Sequence, residues 1–286
     1  MNTGAMQSSF EVGEIVDRYE LLEKADALGL GTAYKVRNIE AGRAELMRVL
    51  PEDLSSGPAA QRYIREARIL QQLVHPSIVS FYRATHIYGR LVLTTELPGG
   101  DTLEEALRQG IPDMSVGLGY ISDVLGGLTC AHRASIVHRC VEPANIHVLS
   151  DGSAKIGGFA FARAGNDSRL TAKGLVIGIA GYMSPEQASG AGSIDPRSDL
   201  YSVGAVLYQV VTGRRVFESD SYFELMKAHV GETLTPPREI RPDLPVKLEK
   251  IILRALSKDP GERHQNAADF QASIDEVREE IAREVT

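Results

Sequence analysis

The chain has no tryptophan, only two cysteines, and aromatic residues at just 6% of its 286 positions. Cys130 and Cys140 cannot build a disulfide framework, and ten residues apart they form no close zinc-ligand pair. A reducing compartment is therefore expected, and no cofactor or metal. No run approaches eighteen apolar residues, and no basic stretch followed by an apolar one opens the chain. The sequence thus predicts neither a transmembrane helix nor a signal peptide, and the expectation is a cytoplasmic chain with no membrane contact of its own. Positive charge is not in excess either. A formal net charge of −7 with both signs mixed gives no electrostatic footprint for nucleic acid or anionic lipid, so no nucleic-acid partner is expected.

What is present is an ordinary folded composition, 43% hydrophobic and 24% charged, in a length that can bury a sizeable core without metals or disulfides. Short β-rich runs such as 44–50 and 90–97 precede a proline-glycine-glycine break at 98–100; beyond it helical periodicity dominates. Between the strands, Ile64, Ala67, Leu70, Leu73 and Val74 form a stripe at three- and four-residue steps, predicting a helix over 60–74 that packs on a sheet. Thr102 and Glu105 make a capping box. Leu118 to Leu128, Leu200 to Val211 and Phe270 to Ile281 carry apolar faces of further helices. These patterns divide the chain into a flexible leader at 1–17, a β-rich lobe at 18–97 and a mainly helical lobe at 98–286.

Five motifs occur in order: Arg65-Glu66-Ala67; His138-Arg139-Cys140-Val141-Glu142-Pro143-Ala144-Asn145; Gly178 to Glu186; Ser198-Asp199-Leu200-Tyr201-Ser202; and Asp259-Pro260-Gly261-Glu262-Arg263. On these motifs the chain resembles the bacterial Hanks-type Ser/Thr protein kinase family. The resemblance covers residue 18 to the last helix and implies an α+β, bilobal protein-kinase-like fold.

Within that resemblance, the positions that carry chemistry have changed. The glycine-rich loop, which closes bare backbone over phosphates in the family, reads Asp26, Leu28 and Gly31. Arg48 stands at the strand lysine; it keeps the charge but not the compact ammonium, and an ion pair with Glu66 is expected. Leu46 replaces a small residue lying against adenine. Thr95 matches the gatekeeper, and Pro98 removes a backbone N–H that donates to the base. His147 stands where an apolar residue lies beneath it. Cys140 and Glu142 occupy the catalytic-base and loop-lysine positions, and Gly158-Phe159-Ala160 replaces the triplet whose aspartate holds magnesium. Glu66, His138 and Asn145 are retained, the last with a hydrogen bond inside its own loop as its expected role. Asp199 matches a buried anchor, and Glu186 with Arg263 an ion pair bracing the activation segment.

The resulting expectation is a pseudokinase, a protein-interaction or scaffold module in bacterial signalling that neither binds ATP with magnesium usefully nor transfers phosphate, and so is not an enzyme. Its expected partners are proteins, an active kinase among them, with Ser168 and Thr171 as candidate phosphorylation sites. The alternative is a divergent kinase or other ATP-dependent transferase using substitutes, with Asp26, Glu142 or Asp151 supplying carboxylates and Arg48 meeting phosphate.

Overall fold

The computed structural model describes residues 10–25, 31–159, 162–164, 179–190 and 193–284. Asp26, Leu28, Ala160, Ser168 and Thr171 lie outside them. The chain forms an α+β fold of two units, one comprising 1–71 and 79–97 and the other 72–78 and 98–286. The second unit thus takes in residues 72–78, which the sequence reading left in the first lobe.

In the first unit, β1 (Ile15–Val16), β2 (Tyr19–Ala25), β3 (Thr32–Asn38), β4 (Arg43–Val49), β5 (Phe81–Ile87) and β6 (Arg90–Glu96) form an antiparallel sheet in the order β1-β2-β3-β4-β6-β5. Alternation along the strands sends Val36, Met47 and Val92 to one face, where Phe10, Val16 and Tyr19 join them. Leu91 and Leu93 point to the other face, which α1 (Pro58–Leu70) covers with Ala60, Tyr63 and Ala67. Residues 10–17, read from sequence as leader, belong to this unit: Phe10 is buried, its carbonyl accepts from the Tyr34 hydroxyl, and β1 pairs with β2.

Helix α1 differs from its expected form. It ends at Leu70 rather than 74, and Val74 is 89% exposed. The buried face runs through Ala59, Ala60, Tyr63, Glu66, Ala67 and Leu70, so the stripe is turned toward residues that apolar counting alone leaves out. Leu73 is buried, but as part of the second unit.

Gly31 has a packing reason. Its φ is +98°, and a β-carbon there would fall 2.3 Å from the Val49 carbonyl oxygen and 3.2 Å from the Tyr63 hydroxyl. Gly31→Ala is expected to cost about 1–3 kcal/mol through overpacking and a disfavoured φ, measurable as a lower denaturation midpoint.

The second unit is built on α3 (Met114–Arg133), α5 (Pro196–Thr212) and α9 (Ala267–Glu284), with α2 (Leu103–Gln109), α4 (Pro185–Ser189), α6 (Tyr222–Gly231), α7 (Pro237–Ile240) and α8 (Val246–Ala255) around them. Short strands β7 (Asp101–Thr102), β9 (Ile146–Val148) and β10 (Ala154–Ile156) make one small sheet, and β8 (Ile136–Val137) pairs with β11 (Arg163–Ala164). The capping box of Thr102 and Glu105 is formed at the start of α2. Helix α5 is buried around nearly its whole circumference, as an apolar helix at the centre of a core must be. Helix α3 is long and apolar enough to cross a membrane by length and composition alone, but its Leu118, Ile121, Val124, Leu125 and Leu128 are buried in the fold, as a core helix requires.

Candidate active site

The altered positions separate between the two units. In the first, β4 and β6 run side by side with Leu46 opposite Thr95, so these two share one face of the sheet. Arg48 lies on that face too, two residues along β4, and its guanidinium donates to the Glu66 carboxylate from α1. Both are shielded, at 15% and 4% side-chain exposure, so the pair is desolvated. Burial opposes the Arg48 charge, yet the Glu66 carboxylate beside it holds the guanidinium pKa above its ordinary value. The 610 Å³ cleft of this unit, lined by Tyr34, Val49, Asp53 and Arg90, opens on the opposite face from Leu46 and Arg48.

In the second unit, β8 delivers the chain into a tight loop that ends in a 3-10 turn at Pro143–Asn145 and continues as β9. The loop is anchored by a carboxylate from α5. Asp199, 1% exposed, accepts from the backbone N–H groups of His138 at 2.9 Å and Arg139 at 2.7 Å, and from His132 Nε2 at 2.8 Å. These two backbone donors hold Arg139 at φ +67°. Burial would raise the Asp199 carboxyl, but the His132 hydrogen bond and charge outweigh it and the pKa is lowered. Asp199→Asn should therefore destabilise the protein by about 1–3 kcal/mol, because an amide cannot accept at both of its ends; thermal unfolding checks it.

His138 is fully buried. Its Nδ1 accepts from the Cys140 N–H at 3.2 Å, which makes Nε2 the protonated nitrogen, donating to the Gly157 carbonyl at 2.7 Å. Its ring meets that of Phe159 edge-on at 4.4 Å. Beyond it, Asn145 Nδ2 reaches the Cys140 carbonyl at 2.9 Å, Cys140 Sγ at 3.2 Å and Glu142 Oε1 at 3.2 Å, while Cys140 Sγ lies 3.6 Å from the same Glu142 oxygen. Cys140, Glu142, Asn145, His138 and Gly158 thus come together. His147 is elsewhere, on β9 opposite Thr102 and Lys155, and Pro98 follows β6 where the second unit resumes.

Two ionisations follow from this packing. Burial, reinforced by the Glu142 charge, pushes the Cys140 thiol well above its ordinary value, so it is a poor thiolate nucleophile. Burial, reinforced by Glu104, raises the half-buried Glu142 carboxyl, with the Cys140 thiol and Arg215 acting the other way. Glu142 is therefore a carboxylate whose pKa lies above its ordinary value. Near it, Tyr182 donates to Gln209 at 2.5 Å, and burial pushes its hydroxyl up to about 12. Gln209 and Arg215 also line a cleft of about 500 Å³ with Glu218 and Asp220.

Magnesium in the arrangement implied by the resemblance does not fit these residues. Gly158 offers no carboxylate, Asn145 offers only a neutral amide oxygen while its Nδ2 donates within the loop, and among the described residues no three His, Cys, Asp or Glu side chains gather as a metal-binding group. Sequence reasoning missed two parts of the site. One is His132 as a third partner of Asp199; the other is the contact between Asn145 and Gly158, because neither is adjacent in the chain.

Comparison with known proteins bears on what this loop does. The family model described as the protein kinase domain matches residues 23–273. A probable serine/threonine-protein kinase of Streptomyces coelicolor is 36% identical over 268 residues, covering 90% of this chain and 39% of that protein. A probable serine/threonine-protein kinase of Clostridium acetobutylicum is 30% identical, covering 92% and 40%. The serine/threonine-protein kinase PknB of Mycobacterium leprae is 36% identical, covering 90% and 42%. The chain therefore spans about two fifths of the length of these relatives. Their names correct the expectation of a non-enzymatic scaffold, and with it the denial of enzyme activity, in favour of the alternative of a transferase with substitute residues. The physical reason lies in the loop: the count of residues missing from fixed positions outweighed the carboxylate two residues away that the alternative had named, although losses among groups that act together do not add.

Proposed function

The chain belongs to the protein kinase family, and on that footing we propose that it is a divergent serine/threonine protein kinase in which Glu142 is the general base. The observation that carries this reading is the placement of the Glu142 carboxylate in the loop anchored by Asp199, with its pKa raised by burial. A base must lie within hydrogen-bond reach of its proton and have a pKa near the working pH. In the step, the substrate hydroxyl oxygen forms its bond to the transferred phosphorus as the bond from that phosphorus to the leaving nucleoside diphosphate breaks. The hydroxyl proton passes to Glu142.

Other parts of the chain support the reading. The Arg48–Glu66 pair is formed within the first unit, and the guanidinium supplies a fixed positive charge suited to phosphate. The cleft of Gln209, Arg215, Glu218 and Asp220 offers both charge signs to a polypeptide substrate. The test is incubation of the chain with γ-labelled ATP and a mixed Ser/Thr peptide library. Label on peptide hydroxyls that rises linearly with time supports the proposal; absence of label at every pH between 5 and 9 overturns it.

A further inference from the structure

The cleft of Gln209, Arg215, Glu218 and Asp220 has an internal order of charge. It forms where the chain leaves α5 and turns into α6, and Gly213 and Ser219 complete its lining. Gln209 and Tyr208 are adjacent on α5 and so project about 100° apart. Gln209 accepts from the Tyr182 hydroxyl, while the Tyr208 hydroxyl donates to the Thr235 carbonyl at 2.9 Å. Arg215 belongs to the Tyr182 end. Its guanidinium carbon lies 5.8 Å from the Tyr182 ring centroid, and a β-carbon on Gly181 would lie 3.7 Å from its Cδ. Against the burial that raises both groups, its charge draws down the Glu142 carboxyl and the Tyr182 hydroxyl. Glu218 belongs to the other end: burial raises the Tyr208 hydroxyl, with Arg214 acting the other way and Glu218 adding to the rise. Asp220 follows in the same loop, next to Ser221, whose side chain caps α6. The cation thus lies toward Glu142 and the Glu218 carboxylate away from it. All three charged side chains are exposed, and among the described residues none of them is in an ion pair.

We infer that this cleft selects its polypeptide substrate by the order of two charges: Arg215 receives an acidic side chain close to the acceptor hydroxyl, and Glu218 with Asp220 receives a basic side chain farther along the same segment. The inference rests on the phosphotransferase reading for where the acceptor lies; the binding preference itself is read from the cleft. A volume of about 500 Å³ is roughly 8 Å across, which an extended chain crosses in about two to three residues. The two substrate charges should be about that far apart. The opposite order sets acid against Glu218 and base against Arg215, so repulsion adds to the discrimination that attraction provides.

The test uses the full chain and fluorescent peptides built around one serine, in pairs of identical composition. One member has aspartate beside the serine and lysine about two residues beyond it; the other has these two charges exchanged. Each pair is made with the charged residues before the serine and again after it. Fluorescence anisotropy at low ionic strength is expected to show binding about tenfold tighter for the aspartate-adjacent member in one of the two directions, and tighter binding of the exchanged member in neither. Arg215→Glu should abolish that preference, and Arg215→Glu combined with Glu218→Arg should reverse it. Thermal unfolding checks that both variants fold; if either does not, Arg215→Gln replaces it and should weaken the preference. Equal binding of both members, no binding of any peptide, or a preference unchanged when Arg215 is replaced overturns the inference. Transfer of labelled phosphate to the same peptides separates it from the reading it rests on. The charge preference without transfer to any peptide counts against the phosphotransferase reading alone, and transfer to both members without a preference counts against this inference alone.

Discussion

Glu142→Gln is expected to lower kcat for phosphate transfer by about 10²–10⁴-fold, the usual contribution of a positioned general base. Glutamine keeps the length and can still accept from Asn145, so the loop should retain its form; only the capacity to take a proton is lost. The pH profile separates this role from a structural one. Because burial raises the Glu142 carboxyl, the base is protonated as pH falls through that raised value, and activity should be lost at higher pH than an ordinary carboxylate would give. Besides burial, the groups that set this limb are Cys140 in the loop, Glu104 on α2 and Arg215 after α5; Asn145 also donates to the same carboxylate. Removing Glu104 should move the acid limb down, and removing Arg215 should move it up. The residual activity of Glu142→Gln should have no such limb.

Arg263→Ala should produce the largest loss of stability, about 3–5 kcal/mol, the cost of removing one partner from a buried charge pair. Arg263 is fully buried, and all five of its N–H groups are used. Two bind the Glu186 carboxylate at 2.8 and 2.9 Å, and the others reach the carbonyls of Ser257, Arg197 and Lys258 at 2.8, 3.0 and 3.0 Å. Glu186 also accepts from the Ser198 hydroxyl at 2.6 Å. Alanine leaves that carboxylate with Ser198 as its remaining side-chain donor and three carbonyls without the guanidinium, so Arg263→Lys, with three donors and no fork, should rescue only part of the loss.

The same pair governs acid stability. Burial alone would raise the Glu186 carboxyl, but bonds from Arg263 and Ser198 bring it down to about 2. A depressed carboxyl contributes stability that is complete above its unfolded value and disappears as pH falls through the folded one. The wild-type chain should therefore lose this contribution between about pH 4.5 and pH 2, and Arg263→Ala should show little of that dependence. Denaturant titrations at a series of pH values measure both effects.

The fold was legible in the sequence where the signal is local or carried by strong motifs. The capping box at Thr102 and the apolar faces of α3 and α5 follow from spacing, and the Arg48–Glu66 and Arg263–Glu186 pairs from motif positions; that α5 is buried almost all round was not read from the sequence. The face and end of α1 were not, because tyrosine and glutamate count as polar in a pattern; Tyr63 packs in the core, and Glu66 is buried by its arginine. The site was legible as a set of substitutions but not as an arrangement. That Glu142, Cys140 and Asn145 share hydrogen bonds depends on a turn closed by Asp199 from 54 residues beyond Asn145, and on the missing β-carbon of Gly158. Reading the substitutions as a coordinated set of losses produced a scaffold; the hydrogen bonds that join Glu142 to Cys140 and Asn145 were not visible in that reading.

The most direct measurement is the pH dependence of labelled phosphate transfer by the wild-type chain, Cys140→Ser and Glu142→Gln side by side. The account predicts transfer by the first two, with an acid limb at higher pH than an unperturbed glutamate would give, and a loss of about 10²–10⁴-fold without that limb in the third. Equal transfer by wild type and Glu142→Gln at every pH, or none by any of the three, would contradict it.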